Sequence, residues 1–296
     1  MMAIQRQNIV LTALLAPVTL FLGIFFLVPL LTIALYSFLT PGLYGGVEWA
    51  FYHWNYGRIF GWADGIIEIF EPIYLTILAR SLAFAALTAL VCLILCYPVA
   101  FWVSRLPERW RLLFMFLITL PFFSSLIVRL YAWLLILKPT GLLNSALMAT
   151  GLIDTPLEIL FTPVAVVLGM VYIMVPFMFL PLYAAVDNLD RSLIEASMDL
   201  GATRAQTFRK VILPQTLPGV LGGLVIVFIP AVGNFIVPDL LGGAKGLMVG
   251  NLVEQQFLSA RNWPFGSALS MIIMAVVLAV LLVSVTRAKR QGASHA

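Results

Sequence analysis

The sequence predicts an all-α integral membrane protein with six membrane-crossing helices. Three observations carry that prediction. Of the 296 residues, 62% are apolar and only 10% are charged. Six apolar runs are each long enough to cross a bilayer. The Lys and Arg residues fall between those runs and favour alternate sides. A soluble domain carries roughly 25% charged residues. This chain has too little polar surface to cover a water-soluble globule, so most of it is solvated by lipid. The runs are continuous rather than alternating, which excludes a closed β-barrel.

A helix needs about 20 residues to cross a hydrocarbon core of roughly 30 Å. The runs that meet this length cover residues 9–38, 73–103, 112–137, 163–185, 217–237 and 265–285. Together they make one transmembrane domain over residues 1–296. The first run is longer than the apolar core of a signal peptide and no small-residue cleavage site follows it, so it reads as a retained helix.

Orientation follows from the basic residues. One set of connecting segments holds Arg6, Arg105, Arg109, Arg111, Arg191, Arg204, Arg209, Lys210, Arg287, Lys289 and Arg290. The opposite set holds Arg58, Lys138, Lys245 and Arg261, while Arg80 and Arg129 lie within spans. The positive-inside rule then places both termini in the cytoplasm. The net charge of +4 does not point to nucleic acid, because these residues form no basic face. Cys92 and Cys96 lie four apart in an apolar run and read as small packing residues. Two cysteines cannot complete a zinc site. His53 and His295 have no ligand-like neighbours.

The outer segment over residues 40–72 is rich in aromatics, including Tyr44, Trp49, Phe51, Tyr52, Trp54, Tyr56 and Trp62. It reads as an interfacial belt along the outer leaflet. The outer segments also hold Glu48, Asp64, Glu68, Glu71, Asp154, Glu158, Asp239 and Glu254. Two readings stand: attraction of a cationic solute, or outer loops that simply lack Lys and Arg.

The longest cytoplasmic segment, residues 187–214, reads DNLDRSLIEASMDLGATRAQTFRKVILP. Asp190 can cap a short helix, and Gly201 can end it in the left-handed conformation. Thr203 and Gln206 have capping-box spacing and start a second helix. Pro214 is expected to stop that helix and turn the chain back to the membrane. Leu193, Ile194, Ser197 and Met198 share one face of the first helix. Docking into a partner groove and packing under its own bundle both account for that face. DNA binding does not, because the segment is tethered between two spans and mixes four acids with four bases.

Glu195-Ala196-Ser197, Gly201 and Val211-Ile212-Leu213-Pro214 resemble the EAA loop of ABC importer permeases. That pattern is E-A-A, three residues, G, nine residues, I-x-L-P. The spacing here matches throughout, with Ser197 where alanine is usual and Val211 where isoleucine is usual. The resemblance implies the type I ABC importer permease fold, in a bacterial inner membrane. It implies that Leu193, Glu195, Ala196, Ser197, Asp199, Gly201, Ala202, Leu213 and Pro214 couple the chain to an ATPase dimer. It also implies a second permease subunit, expected as a heterodimer, and a periplasmic solute-binding protein. Gly242-Gly243-Ala244-Lys245-Gly246 lacks the spacing of a phosphate-binding loop, so no cofactor is expected here and ATP would be bound by the partner. The chain is not expected to be an enzyme.

Further stretches are similar to polyamine importer permeases: Leu120-Pro121-Phe122-Phe123, Arg129-Leu130-Tyr131-Ala132-Trp133, the glycine-flanked run from Gly233 to Gly243, and Arg261-Asn262-Trp263-Pro264. They imply a small cationic solute such as spermidine or putrescine. Related importers carry opines or aminophosphonates, so those solutes stay open. Arg129, Tyr131, Trp133, Tyr172, Asn234 and Asp239 are the candidate pathway residues. Charge within a span is costly and often functional, but snorkelling also accounts for Arg80 and Arg129. The density of Pro230, Gly233, Asn234 and Pro238 predicts a broken helix, tolerable only where it is buried or lines a cavity. Gly219 and Gly223 predict a close helix approach, either within the chain or to a second permease. An ion-driven secondary transporter is the alternative of a different class. It calls for mid-membrane ionisable groups and an inverted repeat, and neither is evident.

Overall fold

A computed structural model describes residues 2–62 and 70–292, without the side chains of 1–13, 244–245, 285 and 287–292. Asp64, Glu68 and His295 therefore lie outside the described residues, as do the side chains of Arg6, Lys245, Arg287, Lys289 and Arg290. The chain forms two compact units, residues 1–74 with 253–274, and residues 75–252 with 275–296.

The first unit begins with α1 (Met2–Tyr36), which contains Pro17 and Pro29. Its most apolar window is 0% buried within the chain. A helix apolar on every side belongs in lipid or against another apolar surface. An antiparallel hairpin of β1 (Leu39–Pro41) and β2 (Val47–Phe51) follows, then the short α2 (Trp54–Ile59). The expectation of an all-α chain missed this hairpin. Val47, Trp49 and Phe51 alternate with Glu48 and Ala50, a strand-like period of two, and Gly45 and Gly46 supply positive φ at its tip. Asn55 is buried and donates to the carbonyls of Ser37 (3.1 Å) and Leu39 (3.0 Å). The first turns of α12 (Trp263–Gly292) complete this unit.

The second unit is built on α3 (Ile73–Val103), α7 (Pro163–Asp187) and α10 (Leu213–Val232). Gly219 faces α7, where an added Cβ would meet Ala185 and would lie 2.7 Å from the Pro181 carbonyl oxygen. Gly223 approaches Met178 in the same way. The two glycines thus serve packing within the chain. Cys92 and Cys96 are buried and free, their Sγ atoms 3.7 and 3.6 Å from the carbonyls of Val171 and Val175 on α7. The Tyr97 hydroxyl lies 2.8 Å from Thr216 Oγ1, joining α3 to α10.

Six helical stretches among the described residues are long and apolar enough to span a membrane: Leu14–Tyr36, Ile73–Val103, Leu126–Ala149, Pro163–Asp187, Arg204–Val232 and Trp263–Ser284. Two differ from expectation. The expected run 112–137 is split into α4 (Glu108–Thr119), a 3₁₀ turn (Leu120–Phe123) and α5 (Leu126–Leu137). Pro121 supplies no N–H and Ser124 is extended (φ −108°, ψ 151°), so the helix cannot continue. The spanning stretch moves onward, through α5 and α6 (Leu142–Ala149).

The fifth stretch also starts earlier. Helical bonding runs from α9 (Arg204–Thr207) through a π turn (Phe208–Ile212) into α10. Pro214 therefore does not stop the helix. It sits in the first turn of α10, and the wider turn before it leaves room for the proline ring and needs no proline N–H. Beyond α10 come a second π turn (Pro238–Gly242), a 3₁₀ turn (Gly243–Gly246) and α11 (Val249–Leu258).

Candidate functional site

The segment 187–214 folds as two short helices bent at a glycine. α8 (Arg191–Asp199) starts at Asp190, whose carboxylate accepts from the Ser192 N–H at 2.9 Å. Hydrogen bonds from Ser192 hold the Asp190 carboxyl below its ordinary range. α8 ends at Gly201, with φ +82°. A Cβ there would meet nothing within 4 Å, so the requirement for glycine is conformational rather than steric. Thr203 then caps α9 through a complete capping box with Gln206. Ser197 Oγ lies 2.8 Å from Thr207 Oγ1 and pins the two helices together. An alanine at position 197 would leave the buried Thr207 hydroxyl without that bond.

Leu193 and Met198 are 47% and 46% exposed and Leu200 is 89% exposed, so this apolar face is not covered by the chain's own bundle. Glu195, Ala196 and Asp199 are exposed, Ile194, Ala202 and Leu213 are half-buried, and Pro214 is exposed. Two crevices flank α8. One, of about 360 Å³, is lined by Arg105, Asp187, Arg191, Ile194 and Glu195 among others. The other, of about 670 Å³, runs beneath Tyr97, Trp102, Arg105, Met198 and Phe208.

The sequence reading missed the fastenings of this hairpin. Arg191 donates to the Ser104 carbonyl at 3.4 Å, and Arg111 pairs with Asp187 at 3.3 Å. The Arg105 guanidinium lies 4.2 Å from the Phe101 ring centre. Exposed ion pairs contribute little, about 0–1 kcal/mol each, but they fix direction. The opposed charges at the ends of α3, α4 and α7 were the available signal.

The pathway candidates fall mainly on one assembly of elements, since α5 packs against both α7 and the π turn that carries Asp239. Trp133 on α5 meets Tyr172 on α7 edge to face, with ring centres 5.6 Å apart. Arg129 is half-buried, and its Nε is buried with no hydrogen-bond partner among the described residues. Tyr131 is 53% exposed and Asp239 is exposed. Asn234 sits at the break after α10, where its Oδ1 accepts from the Val237 N–H at 3.0 Å. That bond gives it a capping role whatever it lines.

Arg80 reaches further inward than snorkelling requires. Its guanidinium donates to the Leu247 carbonyl, and Ser81 Oγ accepts from the Val249 N–H at 2.8 Å. Asn251 donates to the Phe235 carbonyl at 2.8 Å. The irregular backbone between α10 and α11 thus finds polar partners, as it must at membrane depth.

Residues 96–291 match the family described as the inner membrane component of binding-protein-dependent transport systems. The chain is 41% identical over 284 residues to the spermidine/putrescine transport system permease PotB of Salmonella typhimurium strain LT2, covering 96% of this chain and 94% of the relative. It is 44% identical over 227 residues to PotB of Escherichia coli K12, covering 77% and 82%. It is 34% identical over 245 residues to the inner membrane ABC transporter permease YdcU of the same strain, covering 78% and 76%. Among solved structures, a chain of a bacterial ABC transporter that imports the acidic polysaccharide alginate superposes with a TM-score of 0.74 at 18% identity, with 96% of each chain covered. That likeness concerns the fold.

Proposed function

From the premise that this chain belongs to the family of binding-protein-dependent transport system inner membrane components, we propose that it is the permease through which an ATP-driven importer moves a polyamine, spermidine or putrescine, across the bacterial inner membrane. The observation that carries the reading is 41% identity, over 96% of the chain, to a permease named for those two solutes. The excess of acids over bases in the outer segments favours a cation. Trp133 and Tyr172 offer aromatic faces to an ammonium group, and Asp239 offers a carboxylate.

In this reading the chain is a permease subunit, and ATP is bound and hydrolysed by a separate ATPase dimer. Leu193, Glu195, Ala196, Ser197, Asp199, Gly201, Ala202, Leu213 and Pro214 belong to the surface that meets it. The exposed apolar face of α8 and the bond from Ser197 to Thr207 support a helix pair that moves as one piece. Closure of the ATPase pair would push α8 and α9, and the continuous helix from Arg204 to Val232 would carry that motion into the bundle. A second permease subunit, a different chain, would complete the pathway. A periplasmic solute-binding protein would deliver the ligand.

The test is uptake. Expression of this chain with its partner subunits, in cells lacking polyamine import, is expected to restore accumulation of labelled spermidine or putrescine. Asp239→Asn should raise the concentration needed for half-maximal uptake. Restored uptake of an unrelated solute, without polyamine competition, would overturn the substrate assignment.

A further inference from the structure

The hairpin between the first two spans exposes more apolar surface than a soluble loop tolerates. Leu43 is 92% exposed, Tyr44 97%, Trp49 79% and Phe51 74%. A two-stranded hairpin with such a surface is marginal in water on its own, and an exposed apolar patch marks a binding surface.

The hairpin has two unlike faces. Leu39 pairs with Phe51 and Pro41 with Val47, and a bulge between Leu39 and Thr40 leaves Trp49 and Ala50 outside the paired register, where Trp49 is 79% exposed. Thr40 pairs with Glu48 on the opposite face. Glu48 is the one Asp, Glu, Lys or Arg in residues 37–57.

Its depth is fixed at both ends. The first spanning stretch ends at Tyr36 and the last begins at Trp263, and these two rings stack with centres 6.5 Å apart. That pair marks one level of the bilayer boundary, where Trp and Tyr are enriched. β1 starts three residues after Tyr36. At the tip, the Gly46 N–H donates at 3.0 Å to the carbonyl of Arg261, two residues before Trp263. Base and tip are therefore both tied to the aromatic pair. The hairpin runs along the boundary rather than projecting away from it.

We infer that this hairpin is a membrane-surface element whose Leu43, Tyr44, Trp49 and Phe51 side chains enter the headgroup and upper acyl region of the phospholipid leaflet on its side. The occupant is lipid rather than a soluble protein, because the surface continues the exposed apolar end of α1, where Leu31 is 63% and Leu35 49% exposed, and carries almost no charge. Tyr and Trp suit that zone, with an apolar body and a polar tip. Glu48 and Thr40 face water. The element would steady the outer ends of α1 and α12 while the rest of the bundle switches.

Spin labels at Leu43→Cys, Tyr44→Cys, Glu48→Cys and Trp49→Cys test this in the full chain, reconstituted with its partner subunits in phosphatidylethanolamine/phosphatidylglycerol vesicles. The native Cys92 and Cys96 are buried, and unlabelled wild type serves as control. The expected result is high oxygen and low nickel-chelate accessibility at positions 43, 44 and 49, with the ratio reversed at position 48. The alternation between neighbours 48 and 49 also reports that the hairpin has folded. Nickel access at all four positions would overturn the inference. So would nickel access that disappears only when solute-loaded binding protein is added, since that outcome assigns the surface to a protein.

Discussion

Gly201 shows how a single residue sets the shape of the hairpin of α8 and α9. Its φ of +82° lies in the left-handed region, and nothing crowds its missing Cβ. A side chain there meets no clash, only the cost of the conformation, about 1–2 kcal/mol for an ordinary residue. Asn tolerates that region better than a β-branched residue. Transport is therefore expected to fall in the order Gly201, Gly201→Asn, Gly201→Val at equal membrane levels, measured as initial solute uptake. Equal transport by Gly201→Val and wild type would show that the bend is not needed. This residue was legible in the sequence, because Asp190, Gly201, Thr203 and Gln206 are local signals whose physics does not depend on the rest of the chain. The partner of Ser197 was not legible. Thr207 lies ten residues away and becomes a neighbour only once Gly201 has turned the chain.

At the scale of elements, proline had different consequences in three places. Pro121 broke the third run, as its missing N–H demands, but apolarity alone gave that run no boundary. Pro176 and Pro181 lie inside α7 without ending it. Pro214 does not stop the helix; it lies in the first turn of α10, and the π turn at Phe208–Ile212 widens the backbone just before it. A π turn inserts one extra residue, and relaxing it would rotate the hairpin of α8 and α9 by about 100° relative to α10. Pro214→Ala removes the reason for that turn. Since relaxing the π turn restores regular α-helical bonding, the variant is expected to raise the thermal midpoint of the purified chain while lowering transport. Raised stability with unchanged transport would show that the turn is incidental. The hairpin of β1 and β2 was not evident in the sequence for another reason. Five residues of β2 give a weak period of two, and the surrounding aromatics read equally well as a membrane belt.

For the whole molecule, hydropathy carried the architecture, because length and apolarity are what a bilayer selects. The proposed pathway is less legible for a physical reason. Trp133 and Tyr172 lie 39 positions apart in sequence and touch only through helix packing. Asn234 spends its carbonyl oxygen on a local cap. Arg80 binds a carbonyl that no spacing rule would pair with it. The surface proposed to meet an ATPase, by contrast, lies in one contiguous segment, so its pattern survives in the linear sequence.

The central claim is that this segment joins the chain to an ATP-hydrolysing partner, and the most direct measurement is purification of the tagged chain from its native membranes. The account predicts recovery of an ATPase subunit with the wild-type chain. It predicts loss of that subunit from Gly201→Val, with the variant inserted at the same level. Recovery of the intact chain alone, still moving spermidine without ATP, would contradict it.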